Sequence, residues 1–249
     1  VYMSIYSTEA ILLAVRNFGE ADKIATLFSK EYGKISAAAY GCRRPKNKLA
    51  GAMQIFSQLE LSLAEGNNID VIKHCEVKLS NVQVRNDLEM MAYGMFVAEL
   101  IIEFYPDKQE DSAMYDLLLG VIQLLSQKNP RLVALAAGYQ ILNKSGCQPT
   151  YDSCLCCGKL VGDDFHFSYE KAGVVCSDCR EFESMSIDLK IVEFINHLLS
   201  LDWQNPQSFT VNGKTLVDAE KLLIGNLSFV LEKPLKSIAF INQLTNLPK

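Results

Sequence analysis

The sequence predicts an α+β protein in which a small β-barrel precedes an α-helical region with an embedded cysteine-rich insert. Three observations lead to this prediction. Short apolar segments separated by glycine and charged turns fill residues 1–80, apolar spacings of three and four run through residues 81–249, and five of the eight cysteines fall between residues 154 and 179. We therefore expect a barrel domain, a helical domain and an insert at about residues 148–182.

Five segments rich in β-branched and apolar residues predict the strands of the barrel. They are AILLAV (10–15), KIATLFS (23–29), KISAAAYG (34–41), FSQLELSLAEG (56–66) and IDVIKHCEVKL (69–79). Gly66-Asn67-Asn68, between the last two, has turn composition and predicts a hairpin. Five short strands within about 80 residues favour an OB-fold, and another small antiparallel sheet is the alternative.

The apolar period of α-helices follows the barrel. The predicted helices cover residues 90–105, 114–127, 131–146, 186–201 and 216–231, the last with a short continuation to Leu244. Pro106, Asn129-Pro130 and Gly146 stand where the first three helices should begin or end. We interpret the apolar stripes of these helices as core.

The spacing of four cysteines is the strongest chemical signal in the sequence. Two C-x-x-C pairs are separated by 18 residues, and their members are Cys154, Cys157, Cys176 and Cys179. Each pair can curl into a knuckle that presents two thiolates to one ion, and Gly158 suits the tight turn after the first pair. The pattern predicts one structural Zn²⁺, with no coordination position left open for water.

Other residues near the cysteines leave alternatives. Cys156 competes with Cys157 as a ligand, although the two-residue gap favours Cys157. His166 is interpreted as a packing or surface residue on a ribbon strand, not as a ligand. A thiol-redox function through Cys154, Cys156 and Cys157 is a further possibility, but the βαβ pattern that usually accompanies it does not surround them.

A basic loop inside the barrel region is the second chemical signal. It carries four positive charges within six residues, namely Arg43, Arg44, Lys46 and Lys48. Such a loop can neutralise backbone phosphates, and the alternative is a solvated surface loop. Arg16, Lys23 and Lys34 extend the predicted DNA-binding patch, while Phe18 and Tyr40 offer stacking faces for bases.

The charge distribution supports separate functions for the two regions. The net charge of −5 argues against a uniformly basic binder, but residues 1–80 have ten Lys and Arg against eight Asp and Glu. The remainder has 14 basic against 21 acidic residues.

No run of about 18 apolar residues and no signal-peptide pattern is present, so we expect no membrane contact and a cytoplasmic location.

The common catalytic motifs are missing from the sequence. There is no phosphate-binding G-x-x-x-x-G-K-[ST], no G-x-G-x-x-G after a strand and no H-E-x-x-H. His74 and Cys75 are neighbours in a predicted strand, where adjacent side chains point to opposite faces, and this argues against a Cys-His dyad. We expect a binding protein without enzymatic activity.

At this point the sequence resembles the RecO family of DNA repair proteins. The resemblance rests on the following segments: Thr8–Leu12, Phe18–Ile24, Leu27–Ile35, Gly41–Lys46, Leu49–Gly51, Gln54–Phe56, Leu59–Leu61, Gly146–Pro149 leading into Cys154-x-x-Cys157-Gly158, and Ala172-Gly173 before Cys176-x-x-Cys179. It covers essentially the whole chain. Family members often have two glycines where this chain has Ala172-Gly173, and some lack the zinc cysteines.

The resemblance implies an N-terminal OB-fold, a helical C-terminal domain and a zinc finger. It also implies binding of single- and double-stranded DNA, annealing of complementary strands and, with RecR, loading of recombinase onto strands coated by single-stranded-DNA-binding protein. The acidic C-terminal tail of that coating protein would dock on the helical domain, where Lys233 and Lys236 are candidate contacts. The expected location is the bacterial cytoplasm, in association with the nucleoid. The alternative function is a zinc-containing protein-interaction adaptor with incidental DNA contact.

Overall fold

The computed structural model describes residues 4–44, 47, 49–162, 164–180, 184–207 and 211–245. Two predicted DNA-binding residues, Lys46 and Lys48, lie outside the described residues, as do the predicted region limits at residues 1, 182 and 249. Within the described ranges, no helix combines the length and the apolar character that crossing a membrane requires.

Five strands form a closed barrel in the order β1-β2-β3-β5-β4. They are β1 (Ile5–Phe18), β2 (Asp22–Ser29), β3 (Gly33–Ala39), β4 (Gln58–Ala64) and β5 (Asp70–Leu79). Neighbouring strands are antiparallel except β3 and β5, which pair in parallel. A four-residue helix, α1 (Leu49–Ala52), lies between β3 and β4 and contributes Ala52 to the barrel core. The predicted OB-like barrel is confirmed.

The first strand is longer than the sequence predicted. β1 has 14 residues and pairs with both β2 and β4, with a bulge between Leu12 and Ala14. Leu12 packs inside the barrel, whereas Ile11 and Leu13 pack in the core shared with the helices. Because both faces are buried there, the middle of β1 is a continuous apolar run, and only that run was recognised in the sequence.

The rest of the described chain is mainly helical, as predicted. Its helices are α2 (Val82–Asn86), α3 (Leu88–Phe104), α4 (Ser112–Leu125), α5 (Pro130–Lys144), α6 (Leu189–Leu199), α7 (Gly213–Leu231) and α8 (Lys236–Thr245). The predicted continuation to Leu244 is the separate helix α8, because Glu232 adopts a left-handed conformation with φ of 53° and ends α7. α2 was not predicted, since five residues are too few to show a helical period.

Side-chain caps fix where the larger helices begin. In each case the cap oxygen accepts a hydrogen bond from the backbone N–H three residues later, and the capping residues are Asp87, Asp111, Asn129, Asp188 and Asn212. Pro130 follows Asn129 at the first position of α5, where a missing N–H costs nothing. Gly146, with φ of 75°, follows the end of α5 as predicted.

A small sheet in the order β7-β6-β8 combines two strands of the cysteine-rich insert with a third strand that follows the insert. Ser186 and Ile187 belong to that third strand, so the helix predicted from residue 186 begins later, at Leu189. Its strands are β6 (Phe165–Ser168), β7 (Gly173–Cys176) and β8 (Met185–Ile187). Phe165 and Phe167 are buried in the core formed by the helices, and the Phe167 ring stacks on Tyr151 with centroids 5.7 Å apart. The insert is therefore packed on the helical region as part of one core.

The barrel shares an apolar contact surface with the helices as well. Ile11, Leu13 and Phe28 belong to the same core as α3 and α4, and the Phe28 ring meets Tyr105 edge-on at 5.8 Å. This contact covers one outer surface of β1 and β2. The end of the barrel at the β1–β2 turn remains exposed at Phe18 and Gly19.

Candidate nucleic-acid interface and metal centre

Backbone hydrogen bonds join the start of the basic loop to the β1–β2 turn. The Gly41 N–H donates to Asp22 Oδ1 at 2.7 Å, and the Arg43 N–H donates to the Ala21 carbonyl at 2.8 Å. Arg43 and Arg44 are both exposed. The loop therefore begins in a fixed position at one end of the barrel, with its first two arginines facing solvent.

Arg16 and Lys23 lie near that end of the barrel, but on opposite faces of the sheet. Arg16 pairs with Ile24 across β1 and β2, and Lys23 pairs with Asn17 one position further along. Because side chains alternate along a strand, Lys23 points to the side of the barrel interior, and Arg16 to the outside. The Lys23 ammonium counteracts the rise that burial causes in the pKa of Cys42.

Two exposed aromatic residues accompany the arginines. Phe18 is 47% exposed at the end of β1, and Tyr40 is 54% exposed directly after β3. Phe18 on β1 pairs with Asp22 on β2. The last pair between β2 and β3 is Lys23 with Ala39, so the next residue after Ala39, Tyr40, lies on the other side of Asp22. Exposed aromatic rings at the same end of a barrel as exposed arginines are a combination that proteins use to bind single-stranded nucleic acid.

Lys34 lies apart from the other predicted DNA contacts. Its ammonium donates to the Ile102 carbonyl at 2.8 Å and lies 3.3 Å from Asp107 Oδ1. Its side chain is only 14% exposed. Lys34 precedes Ala39 by five residues on β3, a separation of about 17 Å along the strand. These contacts give Lys34 a role in attaching the barrel to the helical region.

The structure brings the four predicted zinc ligands together. Among the described residues, the group with ligand atoms close enough to hold a metal consists of Cys154, Cys157, Cys176 and Cys179, with all four Sγ atoms within 4.8 Å of one another. The Sγ atoms of Cys157 and Cys176 are 3.7 Å apart. Four sulfurs at about 2.3 Å from a tetrahedral zinc would be separated by about 3.8 Å. Four thiolates at this spacing fit a closed structural zinc site.

Each pair of cysteines is held by its own local structure. The Gly158 N–H donates to the Cys154 carbonyl at 2.8 Å, and Gly158 has φ of 74°, which closes the first knuckle. Cys176 ends β7, and a 3-10 turn over Ser177–Cys179 carries the second pair. The Cys176 N–H donates to Cys154 Sγ at 3.3 Å, so the two knuckles also contact each other directly.

The environment of Cys154 favours a thiolate. Burial acts to raise the pKa of this thiol, but the backbone N–H groups of Cys176, Cys157 and Cys156 outweigh burial and lower the pKa to about 6. The hydrogen bond with Cys176, by contrast, raises the pKa of Cys179, so a cation bound by all four sulfurs would displace protons from the other thiols.

The neighbouring candidates do not join this group. Cys156 is exposed and stands outside it, so the structure favours Cys157 over Cys156 as the ligand. The His166 ring is buried, and its Nε2 lies 3.3 Å from Ser177 Oγ. His166 therefore packs inside the insert, as the sequence interpretation held.

The helical region contains a cavity of about 320 Å³ between α3, α5, α7 and α8. Apolar side chains such as Phe96, Leu223 and Ile238 line it, together with the ion pair of Arg131 and Glu220. Arg131 donates to both carboxylate oxygens of Glu220. Sequence reasoning missed Arg131, because an isolated arginine in a helix gives no pattern.

Neither of the two candidate contacts for an acidic tail, Lys233 and Lys236, lines this cavity. Lys233 Nζ is 2.7 Å from Glu103 Oε2, so its charge is already paired. Lys236 is exposed at the start of α8, which lines the cavity further along through Ile238.

These features define a class of protein: a small OB-like barrel with exposed basic and aromatic residues, joined to a helical region with an insert whose four cysteines could hold a metal ion. Comparisons of the sequence identify the family within this class. Residues 3–81 match the family described as Recombination protein O N terminal, and residues 85–239 match Recombination protein O C terminal. The chain belongs to the RecO family of DNA repair proteins.

Individual relatives agree with this assignment over nearly the whole chain. "DNA repair protein RecO" from Symbiobacterium thermophilum is 30% identical over 249 residues, which cover 97% of this chain and 98% of the relative. The protein of the same description from Acetivibrio thermocellus is 31% identical over 246 residues, again 97% and 98% of the two chains.

Proposed function

We propose that this protein is a mediator of DNA repair and homologous recombination that acts by binding, without catalysis. It binds single- and double-stranded DNA and anneals complementary strands. The observation that carries this proposal is the juxtaposition of exposed Arg43 and Arg44 with exposed Phe18 and Tyr40 at one end of a closed OB-like barrel. Membership of a DNA repair family supports it.

The proposed binding mode follows from the chemistry of these side chains. Arg43 and Arg44, with Arg16, Lys23, Lys46 and Lys48, contact phosphates, which requires no particular base sequence. Bases stack on Phe18 or Tyr40 and keep their pairing edges accessible to a complementary strand. Residues 81–249 contain 14 basic and 21 acidic residues, so the helical region repels DNA and confines it to the barrel.

This proposal assigns different partners to the two parts of the chain. Residues 1–80 bind DNA, and residues 81–249 bind the acidic C-terminal tail of single-stranded-DNA-binding protein. RecR is a further partner of the protein. The cavity beside Arg131 supports the second assignment, because it combines apolar walls with a guanidinium. A carboxylate of the tail would compete with Glu220 for that guanidinium. With RecR, the protein then loads recombinase onto coated strands in the bacterial cytoplasm, at the nucleoid.

We assign one structural Zn²⁺ to Cys154, Cys157, Cys176 and Cys179. The ion would cross-link the two knuckles, whose strands pack through Phe165 and Phe167 on the helical core. Four thiolates leave no coordination position on the ion for a substrate. The ion would therefore stabilise the insert and would not contact DNA directly.

The test is annealing of two complementary labelled oligonucleotides, with and without single-stranded-DNA-binding protein. The wild-type chain is compared with a variant in which Arg43, Arg44, Lys46 and Lys48 are changed to Gln. A matched control carries the same loss of charge on the helical region, at the exposed residues Lys128, Lys144, Lys190 and Lys214. We expect the wild type and the control to accelerate annealing, and the loop variant to lose the acceleration.

Two outcomes would contradict the proposal in different ways. Equal loss in both variants would mean that net charge, and not the barrel end, governs DNA binding. An absence of acceleration by the wild type at low salt would favour the protein-interaction adaptor over the mediator.

A further inference from the structure

An acidic residue, Asp22, lies in the middle of the proposed DNA-binding end of the barrel. It pairs with exposed Phe18 on β1, and its Oδ1 accepts the Gly41 N–H at 2.7 Å. The adjacent Ala21 carbonyl accepts the Arg43 N–H at 2.8 Å. A carboxylate among phosphate-binding side chains opposes DNA binding electrostatically, so its presence needs a separate reason.

The other end of the described part of the loop is held by Asn47. Its side-chain Nδ2 donates to the Tyr40 carbonyl at 3.4 Å, and its Oδ1 accepts the Leu49 N–H at 2.9 Å, at the start of α1. Gly41 has φ of 64°, and a Cβ at this position would lie 3.1 Å from Asn47 Nδ2. The path of the loop therefore depends on a turn at Gly41 that is held by Asp22 on one side and Asn47 on the other.

We propose that Asp22 is a positioning residue for DNA binding. By holding the Gly41 N–H, it fixes the direction in which the chain leaves β3, and so places Arg43 and Arg44 beside Phe18 and Tyr40. The favourable effect of this positioning on DNA affinity exceeds the unfavourable effect of its negative charge. The inference rests on the proposed function, because it assumes that the basic loop contacts DNA.

The two roles of Asp22 change DNA affinity in opposite directions, which makes the inference testable. If Asp22 acts only through its charge, removing it strengthens DNA binding, since one repulsive group disappears. If it acts by positioning, removing the hydrogen-bond acceptor weakens binding even though the charge becomes more favourable. Asn retains the acceptor without the charge, and Ala retains neither.

Four variants separate these effects. Asp22→Ala removes charge and acceptor, Asp22→Asn removes only the charge, and Glu20→Gln removes an exposed charge from the same turn. Asn47→Ala removes the second anchor of the loop without changing charge. The dissociation constant for a labelled single-stranded oligonucleotide is measured for each variant, and the melting temperature shows that each is folded.

We expect Asp22→Ala and Asn47→Ala to bind the oligonucleotide about three- to ten-fold more weakly than the wild type, as loss of one hydrogen bond that orders the site would cause. Asp22→Asn and Glu20→Gln should bind as tightly as the wild type, or up to about three-fold more tightly. Melting temperatures should change little, since Asp22 lies at the surface end of the barrel.

Hydrogen exchange of the backbone amides of Gly41 and Arg43, without DNA, reports the position of the loop independently. We expect faster exchange in Asp22→Ala than in Asp22→Asn or Glu20→Gln.

Unchanged amide exchange in Asp22→Ala, or tighter DNA binding by this variant, would overturn the inference. Faster exchange with unchanged DNA affinity would also overturn it, because the position of Arg43 and Arg44 would then not affect DNA binding. If the Gln variant of all four basic loop residues binds weakly while Asp22→Ala binds normally, the inference fails and the proposed function stands.

Discussion

The ammonium of Lys108 lies 3.1 Å from the buried carboxylate of Asp70, and this pair joins the α3–α4 connection to the barrel. The Gly66 N–H and the Tyr6 hydroxyl also donate to Asp70, at Oδ1 and Oδ2 respectively. The Lys108 N–H in turn donates to the Lys34 carbonyl at 2.8 Å. β3 and β5 pair directly at only two residue pairs, so the α3–α4 connection fills the opening between these strands and fixes the barrel on the helices.

We predict that Asp70→Asn lowers the free energy of unfolding by about 1–3 kcal/mol at pH 7, because the three donors lose a charged acceptor. Glu65→Gln is the matched control, since Glu65 is more exposed and lies 3.9 Å from Lys108. We expect a change below about 0.5 kcal/mol for this control. Urea unfolding measures both, and equal effects would contradict the importance of the buried pair.

The contribution of Asp70 should depend on pH. Burial acts to raise the pKa of this carboxyl group, but the donors from Gly66, Tyr6 and Lys108 outweigh burial and lower the pKa. A carboxyl group whose pKa is lower in the folded state stabilises the fold fully above its unfolded value of about 3.9, and loses that contribution as the pH falls towards the folded value. The stability difference between wild type and Asp70→Asn should therefore shrink below about pH 4. A difference that stays constant between pH 7 and pH 3 would show that the charge contributes nothing.

Lys34→Ala should affect stability more than DNA binding. The Lys34 ammonium donates to the Ile102 carbonyl and lies beside Asp107, and its loss should lower the free energy of unfolding by about 1.5–3 kcal/mol. DNA affinity should stay within about two-fold of the wild type, because the Lys34 ammonium is engaged by Ile102 and Asp107 and is poorly accessible to a phosphate. Lys30→Ala is the control, because Lys30 is exposed in the adjacent turn. A loss of DNA affinity in Lys34→Ala alone, with unchanged stability, would restore Lys34 as a DNA contact.

The salt dependence of DNA binding should decrease when Arg43 and Arg44 are both changed to Gln. Each phosphate contact releases about 0.9 counterion from double-stranded DNA. The negative slope of the log association constant against log salt concentration should therefore become less steep by about two. Lys144→Gln with Lys190→Gln is the matched control and should keep the slope. Fluorescence anisotropy titrations at four or five salt concentrations measure the slope, and an unchanged slope in the arginine variant would place the phosphate contacts elsewhere.

The fold was predictable from the sequence where the apolar residues of a segment recur with the period of a strand or of a helix. Strands β2 to β5 and the longer helices matched their apolar patterns, and the two C-x-x-C pairs predicted which four thiols meet. The full length of β1 was not predictable, because its ends pair with β2 and β4 in a register that only the closed barrel defines. The break between α7 and α8 depends on Glu232 in a left-handed conformation, which glutamate rarely adopts and its sequence context did not indicate.

The candidate DNA site was less predictable than the group of four cysteines. Lys34 stays a predicted DNA contact, but a sequence does not show that its ammonium also donates to the Ile102 carbonyl, near the end of α3. Sequence reasoning passed over Asp22, because the hydrogen bond that its carboxylate accepts from the Gly41 N–H has no signal in the sequence. Local motifs with fixed spacing predict metal ligands well, whereas a surface assembled from a turn, a strand and a loop needs the three-dimensional structure.

Removal of zinc should destabilise the insert and, through it, the helical core. Purified protein should contain one zinc per chain, and a chelator that extracts it should lower the melting temperature, because Phe165 and Phe167 join the insert to that core. Cys157→Ser should bind less than one zinc per chain and lose about 3 kcal/mol or more of the free energy of unfolding. Cys156→Ser is the matched control: this exposed thiol is adjacent in sequence but outside the four-sulfur group, so zinc content and stability should equal those of the wild type. Metal analysis together with thermal unfolding distinguishes the two variants.

Loss of zinc from Cys156→Ser and not from Cys157→Ser would exchange their roles as ligand and bystander. A wild type that is purified without metal, and whose melting temperature is unchanged by a chelator, would show that the four thiols hold no structural metal.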